Sequence, residues 1–122
     1  MRVARRYTRL GVPRFDPSEL AIHHAKHGAQ FPGITATDYE NLADRFLGRP
    51  PTASMLECRR KKGDMLRYDK TTEEFGVLSP AGIIRTYFKP VPCVSLPLPL
   101  RTNCHGHPTN VDYFREECKR ER

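Results

Sequence analysis

Residues 49–53, "RPPTA", separate two kinds of sequence, and this change of apolar period constrains the fold more than any other feature of the chain. Upstream the signals are helical. In "DPSEL", Asp16 is placed to cap free backbone N–H groups, Pro17 stands at the first helical position, where its missing N–H is no loss, and Glu19 completes the reciprocal box. The pattern predicts a helix from Pro17 to about His27, stopped at Gly28. "TATDYENLADRFLG" predicts a second helix, capped by Thr35, with Asp38 in the box position and Gly48 at its end. Tyr39, Leu42, Ala43 and Phe46 recur at helical spacing, which makes them core rather than chemistry.

Downstream the period is that of a sheet. "MLECRR" and "DMLRYD" are joined by "KKG", a tight hairpin signal in which Gly63 is free to take a positive φ. "EFGVLS" and "GIIRTYFKP" follow after turn residues, giving four short strands, most simply an antiparallel meander. In the last strand, strict alternation puts Ile83, Arg85 and Tyr87 on one face and Ile84, Thr86 and Phe88 on the other. A sheet of this size is not stable bare, so the helices must cover one face. The predicted architecture is α+β, with N-terminal helices packed on a four-stranded antiparallel sheet.

The ends read differently. Residues 1–15, including "RVARRYTRL", form a basic arm, either a linker or a phosphate contact through Arg5, Arg6 and Arg9. The domain proper is 16–122, and from about residue 91 it is a proline-rich extension. "VDYFREECKRER" predicts a short final helix anchored by Tyr113 and Phe114. Cys58, Cys93, Cys104 and Cys118 contain no CxxC pair; they allow two disulfides in three ways, but no sequence feature argues for an oxidising compartment, so free thiols are expected. No apolar run is long enough to span a membrane, and the basic N-terminus lacks the apolar segment of a signal peptide. The 21 Lys and Arg exceed the 14 Asp and Glu by seven, which favours a polyanionic partner, nucleic acid ahead of a membrane surface.

Three clusters could carry chemistry. In "HHAKHG", His23 and His27 lie on adjacent helical turns with Lys26 beside them, while His24 points toward the Leu20 side. Imidazoles change charge near neutral pH and suit proton transfer, and Lys26 could hold a phosphate. The same residues also suit a solvated last turn facing the negative end of the helix dipole. In "ECRRKKGDMLRYD", Arg59 and Lys61 share a strand face and Arg67 can meet one of them across the hairpin. A buried arginine there would need a partner. In "GIIRTYFKP", Arg85 and Thr86 interrupt an apolar strand; Arg85 could hold phosphate while Tyr87 or Phe88 stacks on a base. "CHGH" offers soft ligands, yet its spacing matches no zinc pattern.

The segments "HHAKHGAQFPGITATDYENLADRFL" and "RRKKGDMLRYDKTTEEFGVLSPAGIIRTYFKP" resemble the C-terminal ribonuclease toxin domains of bacterial polymorphic and contact-dependent growth inhibition systems, of the barnase–EndoU–colicin–RelE fold. The resemblance covers roughly residues 16–90, with "NVDYF" a weaker echo. In such toxins a His, two variable residues and Lys-His fall here on His23, Lys26 and His27. A Gly before a strand ending in Tyr-Asp falls on Gly63, Tyr68 and Asp69. The closing Gly, hydrophobic pair, Arg-Thr, aromatic and Lys-Pro fall on residues 82–90. The resemblance implies a barnase/RelE-like sheet, cleavage of RNA, often tRNA, without metal or other cofactor, and an immunity protein as partner. It also implies a C-terminal portion of a secreted or surface effector, acting in the cytoplasm of a target bacterium. The proline-rich tail departs from the family pattern.

These readings assign His23, Lys26, His27, Arg85 and Thr86 to catalysis and Arg59, Lys61, Arg67, Tyr87 and Lys89 to substrate binding. The expected immunity protein is acidic, to complement the +7 domain, and binds one-to-one a toxin domain that is itself monomeric and makes no stable membrane contact. The rival class is a basic module that binds RNA or protein through the same surface without chemistry.

Overall fold

The computed structural model describes residues 13–31 and 33–122, and in it both N-terminal helices form between their capping residues. Helix α1 spans Pro17–His27, with the Asp16 carboxylate accepting from the Ser18 N–H. Helix α2 spans Ala36–Gly48 and carries the full reciprocal box: Thr35 Oγ1 accepts from the Asp38 N–H, and the Asp38 carboxylate accepts from the Thr35 N–H. Each cap satisfies N–H groups that the helix itself leaves free. Arg5, Arg6 and Arg9, the arm's candidate phosphate contacts, lie outside the described residues.

The strands are β1 (Arg14–Phe15), β2 (Met55–Arg59), β3 (Met65–Asp69), β4 (Phe75–Leu78) and β5 (Ile83–Phe88). Strands β2 to β5 form an antiparallel meander, and β1 adds to its edge parallel to β5. The resulting sheet is open and five-stranded, in the order β1-β5-β4-β3-β2, which overturns the expectation of a four-stranded, barnase/RelE-like sheet. The physical reason lies in the segment read as an arm. Arg14 and Phe15 pair with Ile83 and Ile84, and the Phe15 ring is buried in the core. Two residues are too few to display a strand period. No helix among the described residues is long and apolar enough to cross a membrane.

Both faces of the sheet are covered. Helices α1 and α2 pack on one, where Phe15, Tyr39, Phe46, Leu47, Ile84 and Tyr87 form the larger core. Leu47 sits directly over Gly76, where an added Cβ would lie 3.0 Å from its side chain. The C-terminal helix α3 (Asn110–Lys119) packs on the other face, with Phe114 against Leu66, Tyr68, Phe75 and Val77.

Alternation along β5 is broken. Val77 pairs with Thr86 but Leu78 pairs with Ile84, so Arg85 is an extra residue without a partner in the ladder. This bulge leaves Ile84 and Tyr87 both in the α1/α2 core, three positions apart, and moves Arg85 from the Tyr87 face to the side of Thr86. The strict alternation expected for residues 83–88 fails at that point.

The cysteines correct the free-thiol expectation. Cys58 on β2 is bonded to Cys118 on α3, and Cys93 to Cys104 within the tail. Cys58 and Cys118 both border the α3-side core, with Cα atoms 6.1 Å apart, a separation suited to a bridge.

Loop-closure entropy ranks the two bridges. Removing Cys58–Cys118, 60 residues apart, should cost about 4 kcal/mol, and removing Cys93–Cys104, 11 apart, about 3. Urea unfolding of the two double Ala variants without reductant tests this order. Equal midpoints for wild type and Cys58→Ala/Cys118→Ala would mean that the longer loop is not closed in solution.

Candidate active site

A cavity of about 610 Å³ opens on the α3 face of the sheet, at the β5 side. Its walls come from five elements: His23, Lys26 and His27 from α1, Arg60 and Asp64 from the β2–β3 hairpin, Phe75 and Val77 from β4, Arg85, Thr86 and Phe88 from β5, and Tyr113 and Glu117 from α3. Arg122 also lines it. The two-residue β1 covers only the start of β5. Beyond it, α1 packs beside the strand, and His27 stacks on Phe88 with ring centroids 4.6 Å apart.

The helix sorts its histidines by row. His24 faces inward and donates from Nε2 to the Ile34 carbonyl at 3.2 Å. Its ring fills the space where a Cβ on Gly28 would stand, 2.8 Å away, so this histidine is structural. His23 and His27, one turn apart, face the cavity with ring centroids at 6.1 Å. His23 Nε2 lies 3.6 Å from Glu19 Oε1, whereas its Nδ1 is buried without a hydrogen-bond partner. Burial, with Lys26 opposing protonation further, holds His23 below its ordinary pKa against the pull of Glu19. The His27 ring has no hydrogen-bond partner among the described residues. Burial first, then the charges of Lys26 and His23, pull its pKa from 6.5 down to about 4. Both imidazoles are therefore neutral near pH 7 and able to accept a proton.

The opposite wall is an ion-pair network. The buried Asp64 carboxylate lies 2.9 Å from Arg85 Nε and 3.7 Å from Arg60 Nη1. Arg60 is in turn bonded to Glu117, through both the side chain and the backbone carbonyl at 2.9 Å. Arg85 is 54% exposed and engages Asp64 through Nε, and among the described residues its terminal amino groups have no partner. Among the same residues the Thr86 hydroxyl also has none, and Lys26 forms no ion pair. The two carboxylates are thus committed to arginines, while Lys26, Arg85, Arg122 and a hydroxyl remain open to an anion. Burial pushes the Tyr113 phenol up to about 12, so this wall residue stays neutral.

The five residues assigned to catalysis come together around this cavity; those assigned to substrate binding do not. Strand parity explains the difference. Arg59, Arg67 and Tyr87 point to the α1/α2 face, opposite the cavity. Arg67 is buried, bonded to Glu57 and donating to the carbonyls of Phe46 and Arg49 at 2.8 and 2.7 Å, so it closes the end of α2. Tyr87 is wholly buried with its hydroxyl on Glu74 and cannot stack on a base. Arg59 donates to the Gly63 carbonyl. Lys61 is exposed beside Glu121, and Lys89 lies over the Phe31 ring, its backbone held by Gln30.

Arg60, Asp64, Glu117 and Tyr113 were not assigned from the sequence. Arg60 lies one position from Arg59 and so has the opposite parity, a signal that strand alternation could have supplied. The pairing of Asp64 and Glu117 with arginines has no local signature. Cys93 and Cys104 hold each other, so "CHGH" presents no thiolate; among the described residues, no group of three or more His, Cys, Asp or Glu is placed to hold a metal ion.

Two consequences are measurable. Replacing Arg67 with Met breaks a buried pair and frees two carbonyls, and should lower stability by about 3 kcal/mol in denaturant titration. An unchanged midpoint would show that the Glu57 pair is not formed. For His27, the unfolded chain binds its proton near 6.5 and the folded chain near 4, so the unfolded state holds more protons between these values. The His27 contribution to stability is therefore lost as pH falls through that window. An NMR titration of the His27 ring should show a midpoint near 4, moving upward in Lys26→Met as one positive neighbour is removed. A midpoint near 6.5 in both proteins would put the ring in solvent.

No protein-family model matches this chain, and no curated protein matches it closely enough to count as a relative.

Proposed function

We propose that this chain is a metal-independent endoribonuclease, the toxin domain of a bacterial polymorphic system, with tRNA as the substrate class suggested by sequence resemblance. The observation that carries the reading is the convergence of His23, Lys26 and His27 with Arg85 and Thr86 around one cavity. His23 and His27 stand one helical turn apart with ring centroids at 6.1 Å, room for a phosphate flanked by an acceptor and a donor of protons, while Lys26 beside them and Arg85 and Thr86 across the cavity supply anion-holding groups.

His27, the more depressed of the two imidazoles, takes the proton of a ribose 2′-OH as that oxygen bonds to the adjacent phosphorus. The bond from phosphorus to the 5′-oxygen breaks, and His23 supplies that oxygen with a proton. Glu19, beside His23, favours the imidazolium once the phosphate has brought negative charge into the cavity. Lys26, Arg85 and the Thr86 hydroxyl hold the nonbridging oxygens. The products are a 2′,3′-cyclic phosphate and a 5′-hydroxyl. Asp64 and Glu117 do not enter the reaction; they fix Arg85 and Arg60. An acidic immunity protein, one per toxin domain, would block the site most directly by presenting carboxylates to Lys26 and Arg85.

Incubation of purified protein with total cellular RNA in EDTA should give fragments bearing cyclic phosphate ends, and a 2′-deoxy substitution at the cut site should abolish the cut. His27→Ala should slow cleavage by about 100-fold or more while leaving the unfolding midpoint close to wild type. Thr86→Ala should also reduce it. A salt-dependent gel shift with RNA of unchanged length would instead identify a binding module. Near-wild-type cleavage by both variants would remove them from the site.

A further inference from the structure

A second cavity of about 180 Å³ adjoins the first, lined by Phe88, Pro90, Val91, Asn103, Cys104, His105 and Tyr113. Phe88 and Tyr113 line both cavities, so the two are neighbours across these rings. We infer that this second cavity is a nucleobase subsite that sets which base flanks the cleaved phosphate, with Asn103 reading the base edge. The inference rests on the ribonuclease reading above and names the specificity determinant of that same site.

The tail that forms this cavity is built rather than loose. Cys93–Cys104 closes it, and the backbones of Val91, Cys93 and His105 bond to one another across an isolated parallel bridge between Pro92 and His105. Asn110 donates to the Pro90 carbonyl at 2.9 Å and to Glu73, tying the tail to the sheet and α3. His105 is fixed as a wall. Its Nδ1 accepts from the His107 N–H and its Nε2 donates to Asn110 Oδ1 at 2.7 Å, so both ring nitrogens are occupied. It stacks on Tyr113 with centroids 4.5 Å apart.

The two cavities differ in chemistry. The larger is crowded with cations, whereas no Lys, Arg, Asp or Glu lines the smaller. Its walls are aromatic rings, a proline, a valine and a disulfide-bonded cysteine, with one neutral amide, Asn103, exposed and without a hydrogen bond among the described residues. About six waters would occupy such a volume, which is the scale of one planar heterocycle. A flat uncharged ring tethered to a phosphate fits the pair of cavities: rings supply sequence-tolerant stacking, and an amide supplies edge recognition. The distance is short, because Phe88 is also the ring on which His27 stacks. A base in the smaller cavity therefore stands one ring away from the proposed proton acceptor.

The test measures binding apart from cleavage. The probes are the four 3′-nucleoside monophosphates and ribose 3-phosphate, which has the anion but no base, titrated into the full chain and followed by NMR. At least one nucleotide should bind 10-fold or more tightly than ribose 3-phosphate and shift the resonances of Asn103 and His105. Asn103→Ala, at an exposed position that no packing depends on, should reduce that gain 5-fold or more and leave ribose 3-phosphate binding unchanged. Val91→Phe, which fills the cavity, should abolish the gain. Binding that is no tighter with any base, or a gain untouched by both substitutions, overturns the subsite. Base-selective binding without RNA cleavage would keep the subsite and discard the ribonuclease. Cleavage without base-dependent binding would do the reverse.

Discussion

Arg85 has no partner in the β4–β5 ladder, and the arrangement of both faces of the sheet follows from that single extra residue. Without it, burying Tyr87 under α2 would turn Arg85 toward the same core and Ile84 toward the opposite face. The bulge resolves the conflict by letting Ile84 and Tyr87 share the apolar side while Arg85 and Thr86 share the other. An unpaired arginine in the α1/α2 core would be far more costly than one irregular pair in a ladder. The bulge is thus a packing solution and a site-building device together.

A second constraint is electrostatic. Four cationic side chains and two imidazoles are drawn to one cavity, and self-repulsion there is offset by only two carboxylates. Asp64 is buried and touches both Arg60 and Arg85; Glu117 takes the other side of Arg60. This pairing fixes the arginines at the buried end, where desolvation makes an unpaired charge most expensive, and leaves Lys26 and the outer part of Arg85 uncompensated. The same imbalance depresses His27, since Lys26 and His23 both disfavour its charged form once burial has begun the shift. Charge placement and proton affinity are consequences of one arrangement.

The elements were largely legible in the sequence because their signals are local. Asp16, Pro17, Thr35 and Asp38 act within one helical turn, and Gly63 and Gly82 both take the positive φ that their turns require. What escaped depended on distance or on parity. β1 pairs with Ile83 and Ile84, almost seventy positions away, and two residues carry no period of their own. Alternation along "MLECRR" separates Arg59 from Arg60, but both faces of that strand carry apolar residues, so which of the two meets the cavity is settled only once β3 is paired and α3 covers Cys58 and Leu66. Tyr87 was misassigned because the spacing from Ile84 to Tyr87 is odd, which is itself the signature of a bulge. The cysteine pairs were equally hidden, since Cys58 and Cys118 meet only after α3 has packed across the sheet.

The cavity is consequently a property of the completed fold and of no single segment. Its imidazoles and Lys26 come from the first helix, and its arginines and Asp64 from the β2–β3 hairpin and β5, with Arg122 from the C-terminus. Tyr113 and Glu117 arrive from the last helix, fastened to β2 by Cys58–Cys118. Bringing these parts together buries Asp64 and Arg60 as a pair but leaves net positive charge facing an open space. A bound phosphate would supply the missing counter-charge, raise the proton affinity of the neighbouring histidines and stabilise the folded chain over the unfolded one, all through the same Coulombic interaction. For such an anion, binding, histidine protonation and folding would be coupled at this cavity. The coupling would run through α1, because Lys26, which opposes the charge on His27, would also attract the anion. An arriving phosphate would cancel the second effect by satisfying the first.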